Sequence, residues 1–199
     1  MTEAKPKRLI VVATNNRHKL QEMQSILGSA WLVQGAGDVA SGLTWEETGS
    51  TFRDNARIKI NALKPYVKGC ILADDSGLCV DALHGAPGVN SSSYGGIEGD
   101  HGRNVQRLLA HMRDVPDHER GAHFYCLILF LNERGEEEMF EGRCFGRISR
   151  QPSGQGGFGY DPVFIPDGYN LTMAEMSERD KNAISHRGRA LTEFMKDRS

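Results

Sequence analysis

The sequence lacks an excess of charge of either sign and any long hydrophobic run. Its 199 residues include 24 basic and 26 acidic side chains, so the formal net charge is only −2. We therefore do not expect an overall electrostatic field that would attract the protein to DNA, RNA or a membrane surface. No segment approaches the roughly 18 consecutive apolar residues of a membrane-spanning helix. We expect no nucleic-acid partner and no membrane partner.

Cysteines are few and form no C-x-x-C pair. The chain has four cysteines: Cys70, Cys79, Cys126 and Cys144. Three of them lie in apolar, strand-like segments. This pattern favours buried free thiols in a reducing compartment over disulfides or a zinc site. The basic N-terminus precedes an apolar run over 9–13 only, which is shorter than the roughly 7–15 residues of a signal-peptide core. We therefore expect a cytoplasmic protein.

The first third of the chain predicts strands alternating with helices. Residues 9–13 (LIVVA) form a short apolar run typical of a buried strand. A helix follows after the capping side chains at 14–16 and ends at Gly28. A second helix begins near Thr51 and is stopped by Pro65.

The remaining pattern adds strands that run in the opposite direction. Strands are expected over 70–73 and 78–83, a helix around 105–112, a hairpin over 122–131 and 138–149, a short strand over 163–165 and a helical tail from about Ser177. The expected fold is α/β with a mixed β-sheet. Without repeats or linkers, residues 1–199 are expected to form a single domain, with a flexible N-terminal extension over 1–7.

The glycines of GQGGFGYD (154–161) have the G-x-G-x-x-G spacing of a dinucleotide-binding turn. Such a turn must open a helix, whereas Pro162 and the apolar residues after it predict an extended segment. A nicotinamide or flavin site is therefore not favoured. The glycines either let the backbone approach a flat ligand, with Phe158, Tyr160 and Asp161 beside it, or belong to a surface loop with buried aromatic anchors.

A polar segment between the first strand and the first helix suits an anion. It contains hydroxyl, amide and basic side chains next to the free backbone N–H groups of a helix N-terminus. The residues are Thr14, Asn15, Asn16, Arg17, His18 and Lys19. The alternative is a helix cap followed by a lysine that faces solvent. No G-x-x-x-x-G-K-[ST] sequence is present, which excludes a Walker A loop.

Two acidic pairs offer oxygen ligands. Asp74 and Asp75 precede Ser76 and Gly77 directly after an apolar strand, and carboxylates in that position suit Mg²⁺. The alternative is a simple turn, since D-D-S-G is also a favourable turn sequence. Glu46 and Glu47 form the second pair, which by itself is typical of a solvated loop.

The C-terminal segment contains Lys181, His186 and Arg187. On one straight helix Lys181 and His186 would lie about 140° apart. They can serve one ligand only if the helix breaks, for example with Ser185 capping a new helix; otherwise they are surface charges. Together with the anion segment, the acidic pairs and the aromatic glycine loop, they indicate a nucleoside triphosphate site.

These motifs occur in the order found in a known enzyme family. The blocks VVATNNRHKLQEM, EETGSTFRDNARIK, ILADDSGLCVDALHGAPGVNSS, GGFGYDPVF and KNAISHRGRAL extend from about residue 8 to 197. In them the sequence resembles the inosine/xanthosine triphosphate pyrophosphatases (ITPase-like proteins). The resemblance implies hydrolysis of ITP, dITP and XTP to the monophosphate and pyrophosphate, with Mg²⁺, by a homodimer. It also implies an elongated mixed sheet flanked by helices, with the active site in a cleft between two lobes.

The same resemblance implies a role for each motif residue. The triphosphate would be held by residues 14–19 and Lys59, with Asp75 as general base and metal ligand and Glu46 as the other metal ligand. The remaining residues would bind the rest of the substrate: Ser76, Phe158, Gly159, Tyr160, Asp161, Lys181, His186 and Arg187. Within this group Phe158 would stack on the base and Asp161 would recognise its edge.

Two positions depart from the family pattern. Asn15 stands where glycine is usual, and Ser93 stands where a basic residue often precedes Tyr94. Two alternative functions remain: a Maf-type pyrophosphatase for other modified nucleotides, against which GGFGYDP and SHR argue, and a nucleotide-binding sensor without hydrolytic activity. Such a sensor would not need Glu46, Asp75 and Lys19 together.

Overall fold

The computed structural model describes residues 7–196 and 198. The strands are β1 (Arg8–Val12), β2 (Trp31–Gly35), β3 (Ile71–Val80), β4 (Gly121–Leu131), β5 (Glu137–Ile148) and β6 (Phe164–Pro166). The α-helices are α1 (Arg17–Leu27), α2 (Ala36–Val39), α3 (Phe52–Leu63), α4 (His101–His111), α5 (Glu178–Ile184) and α6 (His186–Met195). The strands form one sheet in the order β2-β1-β3-β4-β5-β6, which confirms the α/β class. Within the described residues we find no helix that could span a lipid bilayer.

The parallel part of the sheet is built on β1. This strand pairs in parallel with β2 and with β3, and its residues Ile10 and Val12 are fully buried. Parallel neighbours need a crossover connection, which α1 supplies between β1 and β2. Asn16 caps α1, and Gly28 ends it at a φ of 72°, as the sequence predicts. The polar residues 14–19 therefore lie where β1 ends and α1 begins.

The antiparallel part consists of β4, β5 and β6. A tight turn joins β4 to β5, with the Gly135 N–H donating to the Asn132 carbonyl over 2.9 Å, so the predicted hairpin is confirmed. Strand β6 pairs antiparallel with β5 and begins at Phe164, one residue later than predicted. The sheet is therefore mixed, as expected.

Strand β3 contradicts the predicted turn at 74–77. The strand runs without interruption from Ile71 to Val80, so the two predicted strands at 70–73 and 78–83 are one. Adjacent carboxylates usually indicate solvent exposure, but Asp74 and Asp75 are buried against Lys19 and Lys59. Buried charges are tolerated when they are paired, and that pairing keeps the acidic segment inside the sheet.

The described residues belong to two compact units. One comprises residues up to 75, 127–141 and those from 190; the other comprises 76–126 and 142–189. Phe194 in the first unit contacts the rings of Trp31, Phe130 and Phe140. A core in the second unit joins α4 to its strands through Leu78, Val105, Leu108, Phe124, Ile148 and Phe164, among others. A single domain over 1–199 stays a prediction, and residues 1–6 of the expected N-terminal extension lie outside the described residues.

The C-terminal segment breaks between α5 and α6. Ser185 has extended backbone angles (φ −64°, ψ 154°), and its hydroxyl accepts from the Gly188 N–H at 3.0 Å. The predicted break with Ser185 as the new cap is confirmed. A β-carbon on Gly188 would lie far inside contact distance of the Asn182 carbonyl oxygen. Glycine therefore lets the first turn of α6 pack on the end of α5.

Gly188→Ala is expected to lower the free energy of unfolding by about 1–3 kcal/mol, because the clash involves backbone that cannot rotate away. Gly102→Ala is the matched control, since Gly102 also lies in a first helical turn but has ordinary space around it. That control should keep or raise stability by up to about 1 kcal/mol. Urea unfolding of both variants gives the comparison, and equal stabilities would contradict this account of Gly188.

Candidate active site

The segment from Thr14 to Lys19 forms a capped helix start. The Asn16 side chain accepts from the N–H groups of His18 and Lys19 at 2.9 and 3.3 Å. Thr14 is buried, and its hydroxyl accepts from the Asn16 N–H at 3.1 Å. Arg17 and His18 are exposed. The cap itself is therefore confirmed, and it occupies two of the N–H donors of the helix terminus.

Lys19 does not face solvent, in contrast to the alternative interpretation of this segment. Its side chain is only 16% exposed and its ammonium group is paired with the Asp74 carboxylate. Asn15 is exposed, and its amide donates to the Leu43 carbonyl at 3.0 Å. The asparagine that replaces the usual family glycine therefore connects the residue 14–19 segment to the loop at Leu43.

A buried ion-pair network surrounds Asp75. The Lys59 ammonium group, on a residue only 4% exposed, donates to Asp75 Oδ1 at 2.6 Å, to the Asp74 carbonyl at 3.1 Å and lies 3.1 Å from Glu47 Oε1. An ammonium group has three donors, so these three acceptors match its capacity. Asn55 Nδ2 lies 3.4 Å from Asp75 Oδ2. Lys59 thus orients Asp75 directly.

The pKa values of the pair reflect burial and mutual attraction. Burial raises the pKa of Asp75 to about 6, although the charges of Lys59 and Lys19 oppose that change. For Lys59, burial lowers the pKa, but the carboxylates of Asp75 and Glu47 more than offset it, so the net pKa is raised. Each group therefore favours the charged form of the other, against the effect of burial.

The carboxylates suit a magnesium ion that shares its coordination with water and substrate. Within the described part of the chain, no group of three or more His, Cys, Asp or Glu side chains is arranged to hold a metal by itself. Mg²⁺ commonly needs only one or two carboxylates, with waters and phosphates as further ligands. Asp75 meets that requirement. Glu46 and Glu47 are both exposed, but Glu47, which sequence reasoning did not select, contacts Lys59 in this network.

The glycine loop opens no helix, as predicted. Residues 161–163 form a single 3-10 turn that leads into β6. Gly154, Gly157 and Gly159 have φ values of 80°, 68° and 64°, which L side chains rarely adopt. A β-carbon on Gly157 would also overlap the Asp161 carboxylate. Glycine at position 157 therefore leaves room for the Asp161 carboxylate to approach the backbone and accept from the Phe158 N–H.

Phe158 and Asp161 lie within a cluster of donors. Asp161 Oδ2 accepts from the Phe158 N–H at 2.9 Å and from the Lys181 ammonium at 3.0 Å. The Lys181 nitrogen lies 5.1 Å from the centroid of the Phe158 ring, and the Arg187 guanidinium lies 5.8 Å from it. Both distances are within cation–π range. His101, which sequence reasoning did not select, places its ring centroid 6.2 Å from that of Phe158.

Arg187 and His186 begin α6. Arg187 is only 2% exposed, and its Nη2 donates to the Ser76 hydroxyl at 3.0 Å. The His186 ring stacks on Phe124 with centroids 4.8 Å apart. Tyr160 is instead a core anchor, because it is buried and its hydroxyl donates to the Ser91 carbonyl at 3.0 Å. The second unit thus brings together the predicted residues Ser76, Phe158, Asp161, Lys181 and Arg187.

A basic residue does accompany Tyr94, although Ser93 replaces the one expected before it. The Arg107 guanidinium, on α4, lies 5.5 Å from the centroid of the Tyr94 ring. The Tyr94 hydroxyl is hydrogen-bonded to His111 Nδ1 at 2.6 Å. Positive charge beside this tyrosine therefore comes from α4 in this protein.

Comparison with known proteins identifies relatives over most of the chain. The family model described as the Ham1 family matches residues 10–197. A protein of Opitutus terrae named dITP/XTP pyrophosphatase is 54% identical over 147 residues, covering 73% of this chain and 72% of that protein. A protein of Halalkalibacterium halodurans with the same name is 42% identical over 187 residues, covering 94% and 96%.

A solved structure has the same fold. The Ham1 protein of Staphylococcus aureus superposes with a TM-score of 0.83 at 34% identity, and the match covers 96% of this chain and all of that one. Together with the family match over 10–197, this similarity extends across both compact units. The chain belongs to the Ham1 family.

Proposed function

We propose that this protein is a Mg²⁺-dependent pyrophosphatase that hydrolyses the aberrant purine nucleotides ITP, dITP and XTP to the monophosphate and pyrophosphate. Such an enzyme removes these nucleotides from the nucleotide pool. The observation that carries the proposal is the buried network in which Lys59 holds Asp75 while Lys19 pairs with Asp74. The names of the Opitutus and Halalkalibacterium relatives support the same activity.

The phosphate chemistry is assigned to the first unit. Asp75 accepts a proton from the water that attacks the α-phosphorus, the bond to the bridging oxygen breaks, and pyrophosphate leaves. Lys59 keeps Asp75 oriented for this step and adds positive charge near the triphosphate, while residues 14–19 supply hydrogen-bond donors and further positive charge. Asp75 and an acidic residue of the 46–47 pair would hold Mg²⁺, which when bound supplies Lewis-acid neutralisation of phosphate charge.

Base selection is assigned to the second unit. Phe158 stacks on the purine, Asp161 accepts from the N1–H group of a 6-oxo purine, and Arg187 or His186 donates to its 6-oxo oxygen. Lys181 supports Asp161 through their ion pair, and Ser76 contacts the substrate beside Arg187. With adenine, the 6-amino donor would face the donor Arg187 or His186, and the N1 acceptor would face the acceptor Asp161. Buried polar groups would then be left unpaired. The site therefore favours hypoxanthine and xanthine over adenine.

We also propose that the enzyme acts as a homodimer in the cytoplasm. Cys70, Cys79, Cys126 and Cys144 are all free thiols, which agrees with a reducing compartment. Light scattering after size-exclusion chromatography measures the mass in solution against the 22.0 kDa of one chain. A mass of one chain at micromolar concentration would contradict the dimer and leave the proposed reaction unaffected.

The activity is tested by measuring pyrophosphate released from ITP, XTP, ATP and GTP. We expect turnover of ITP and XTP with Mg²⁺, at least about 100-fold lower kcat/KM for ATP, and no turnover after the metal is removed with EDTA. Release of orthophosphate, or equal rates for all four nucleotides, would contradict the proposal. Saturable ITP binding without hydrolysis would support a sensor, and cleavage only of other modified nucleotides would support a Maf-type enzyme.

A further inference from the structure

Asn55 is a buried polar residue to which no role has been assigned above. It lies on α3 and is only 1% exposed. Its Oδ1 accepts from the Gly49 N–H at 2.8 Å, and its Nδ2 is directed at Asp75 Oδ2 at 3.4 Å. A buried amide is costly unless both its acceptor and its donors find partners. Here the acceptor serves a loop and a donor serves the proposed general base.

Asn55 and Lys59 hold the two oxygens of the Asp75 carboxylate from one face of α3. Residues four apart are neighbours on a helix surface, and both of these side chains are buried. The Lys59 ammonium group donates to Asp75 Oδ1 at 2.6 Å, so the amide on Oδ2 is a second, independent contact. The same two residues also contact the loop before α3, Lys59 through Glu47 and Asn55 through the Gly49 N–H. Each of them therefore connects this loop to Asp75, Lys59 with a charge and Asn55 without one.

The loop reaches Asn55 because residue 49 is glycine. A β-carbon on Gly49 would lie 2.5 Å from Asn55 Oδ1 and 2.8 Å from the Asn55 backbone nitrogen. Both distances are far inside contact distance, and the helix backbone cannot rotate away. Glycine therefore permits the close approach that lets the loop bond to the same side chain as Asp75.

The same local arrangement occurs a second time at Asn104, with one difference. Asn55 and Asn104 are each the fourth residue of their helix and each 1% exposed. Asn104 Oδ1 also accepts from the N–H of a glycine ahead of the helix, Gly95. Its Nδ2, however, donates to the Ser92 backbone carbonyl at 2.9 Å. A buried asparagine can therefore hold a loop with backbone partners alone, so the contact of Asn55 with a carboxylate points to a role beyond holding the loop.

We propose that Asn55 is a positioning residue for the reaction, which fixes the plane of the Asp75 carboxylate through Oδ2. This role depends on the proposed function of Asp75 as the general base. The last torsion of an aspartate side chain is soft, so the single bond from Lys59 to Oδ1 leaves the carboxylate free to turn, and a partner on each oxygen does not. Hydrogen bonds of catalytic groups are often long before substrate binds and tighten in the complex, which agrees with the 3.4 Å contact.

Pyrophosphate release from ITP by the full-length protein distinguishes positioning from a structural role. Asn55→Asp keeps an oxygen for the Gly49 N–H but turns a second carboxylate toward Asp75, and Asn55→Leu removes both contacts at similar size. We expect each to lower kcat about 10–100-fold, the effect of a small misplacement of a catalytic group, with KM changed less than about threefold. Asn104→Asp and Asn104→Leu are the matched controls and should keep kcat within about twofold of the wild type. Thermal melts should show a lower melting temperature for both leucine variants, because each leaves a buried glycine N–H without its acceptor.

A double variant tests whether Asn55 acts through Asp75. Residues that act as a unit have non-additive effects. In the Asp75→Asn background, Asn55→Leu should therefore lower kcat by less than about threefold further. Asn104→Leu in the same background provides the corresponding control.

Three results would overturn the positioning role while the wild type hydrolyses ITP. The first is near-normal kcat in folded Asn55 variants; Asn55→Asp supplies this measurement if Asn55→Leu does not fold. The second is an equal loss of kcat at Asn55 and Asn104, which would make the role of Asn55 structural. The third is a full, multiplicative loss in the double variant, which would separate Asn55 from Asp75. A wild-type protein that releases no pyrophosphate from ITP is a different outcome, because the proposed function itself then fails and the role of Asn55 fails with it.

Discussion

Asp75→Asn is expected to lower kcat/KM for ITP by about 10²–10⁴-fold, the range for loss of a general base, or more if a metal ligand is lost too. Asparagine keeps the size of the side chain and an oxygen that can accept from Lys59, which lies 2.6 Å from Asp75 Oδ1. It cannot accept a proton from water, and its neutral oxygen is a weaker ligand for a divalent cation. The loss should therefore fall on kcat, and because the buried Lys59 ammonium group loses a charged partner, the folded variant should also melt at a lower temperature.

The measurement is steady-state pyrophosphate release, together with circular dichroism and a thermal melt to show that the variant is folded. Asp81→Asn is a matched control, because Asp81 directly follows the same strand and is exposed. It should retain activity. A folded Asp75→Asn protein with near-normal turnover would remove Asp75 from the mechanism.

Arg187→Ala should reduce the preference for ITP over ATP by about 10–100-fold. The guanidinium is buried and lies beside Phe158, where it is the proposed donor to the 6-oxo oxygen. A hydrogen bond from a charged donor contributes about 1.5–3 kcal/mol, which corresponds to this change in the ratio of kcat/KM values. The ITP rate should fall while the ATP rate changes little.

Arg189→Ala is the control for Arg187→Ala, since Arg189 lies on the same helix but is exposed. Truncation of a buried side chain can also destabilise the protein, so Arg187→Met provides a second variant that keeps much of the volume and removes the donors. Both Arg187 variants should lose selectivity. Unchanged ITP-over-ATP ratios in folded variants would show that another residue recognises the 6-oxo group.

Local signals predicted the helix boundaries of the site correctly. Asn16 and Ser185 each cap a helix with their own side chain, and such a cap depends on residues within one turn. The glycine loop was likewise excluded as a dinucleotide turn by the residues that follow it, which form a 3-10 turn and a strand. Features of this kind are readable because the interacting atoms are neighbours in the chain.

The ion pairs between residues distant in the chain could not be predicted from the sequence in this way. The D-D-S-G segment has the composition of a turn, but Lys19 and Lys59 neutralise its carboxylates and β3 continues through it. The link from Glu47 to Lys59 also depends on which of the two loop residues reaches Lys59, and residue type does not distinguish Glu46 from Glu47. These partners lie 12 to 55 residues apart in the chain.

The sequence by itself therefore determined the family, the order of the motifs and the start and end of the helices that carry them. Tertiary structure decided which charges are paired: Lys59 is directed at Asp75, Lys19 at Asp74 and Lys181 at Asp161. It also decided that the Tyr160 side chain is a core anchor rather than part of the donor cluster. The physical reason is that local caps and turns depend on neighbouring residues, whereas burial of a charge is favourable only when a distant partner arrives to compensate it.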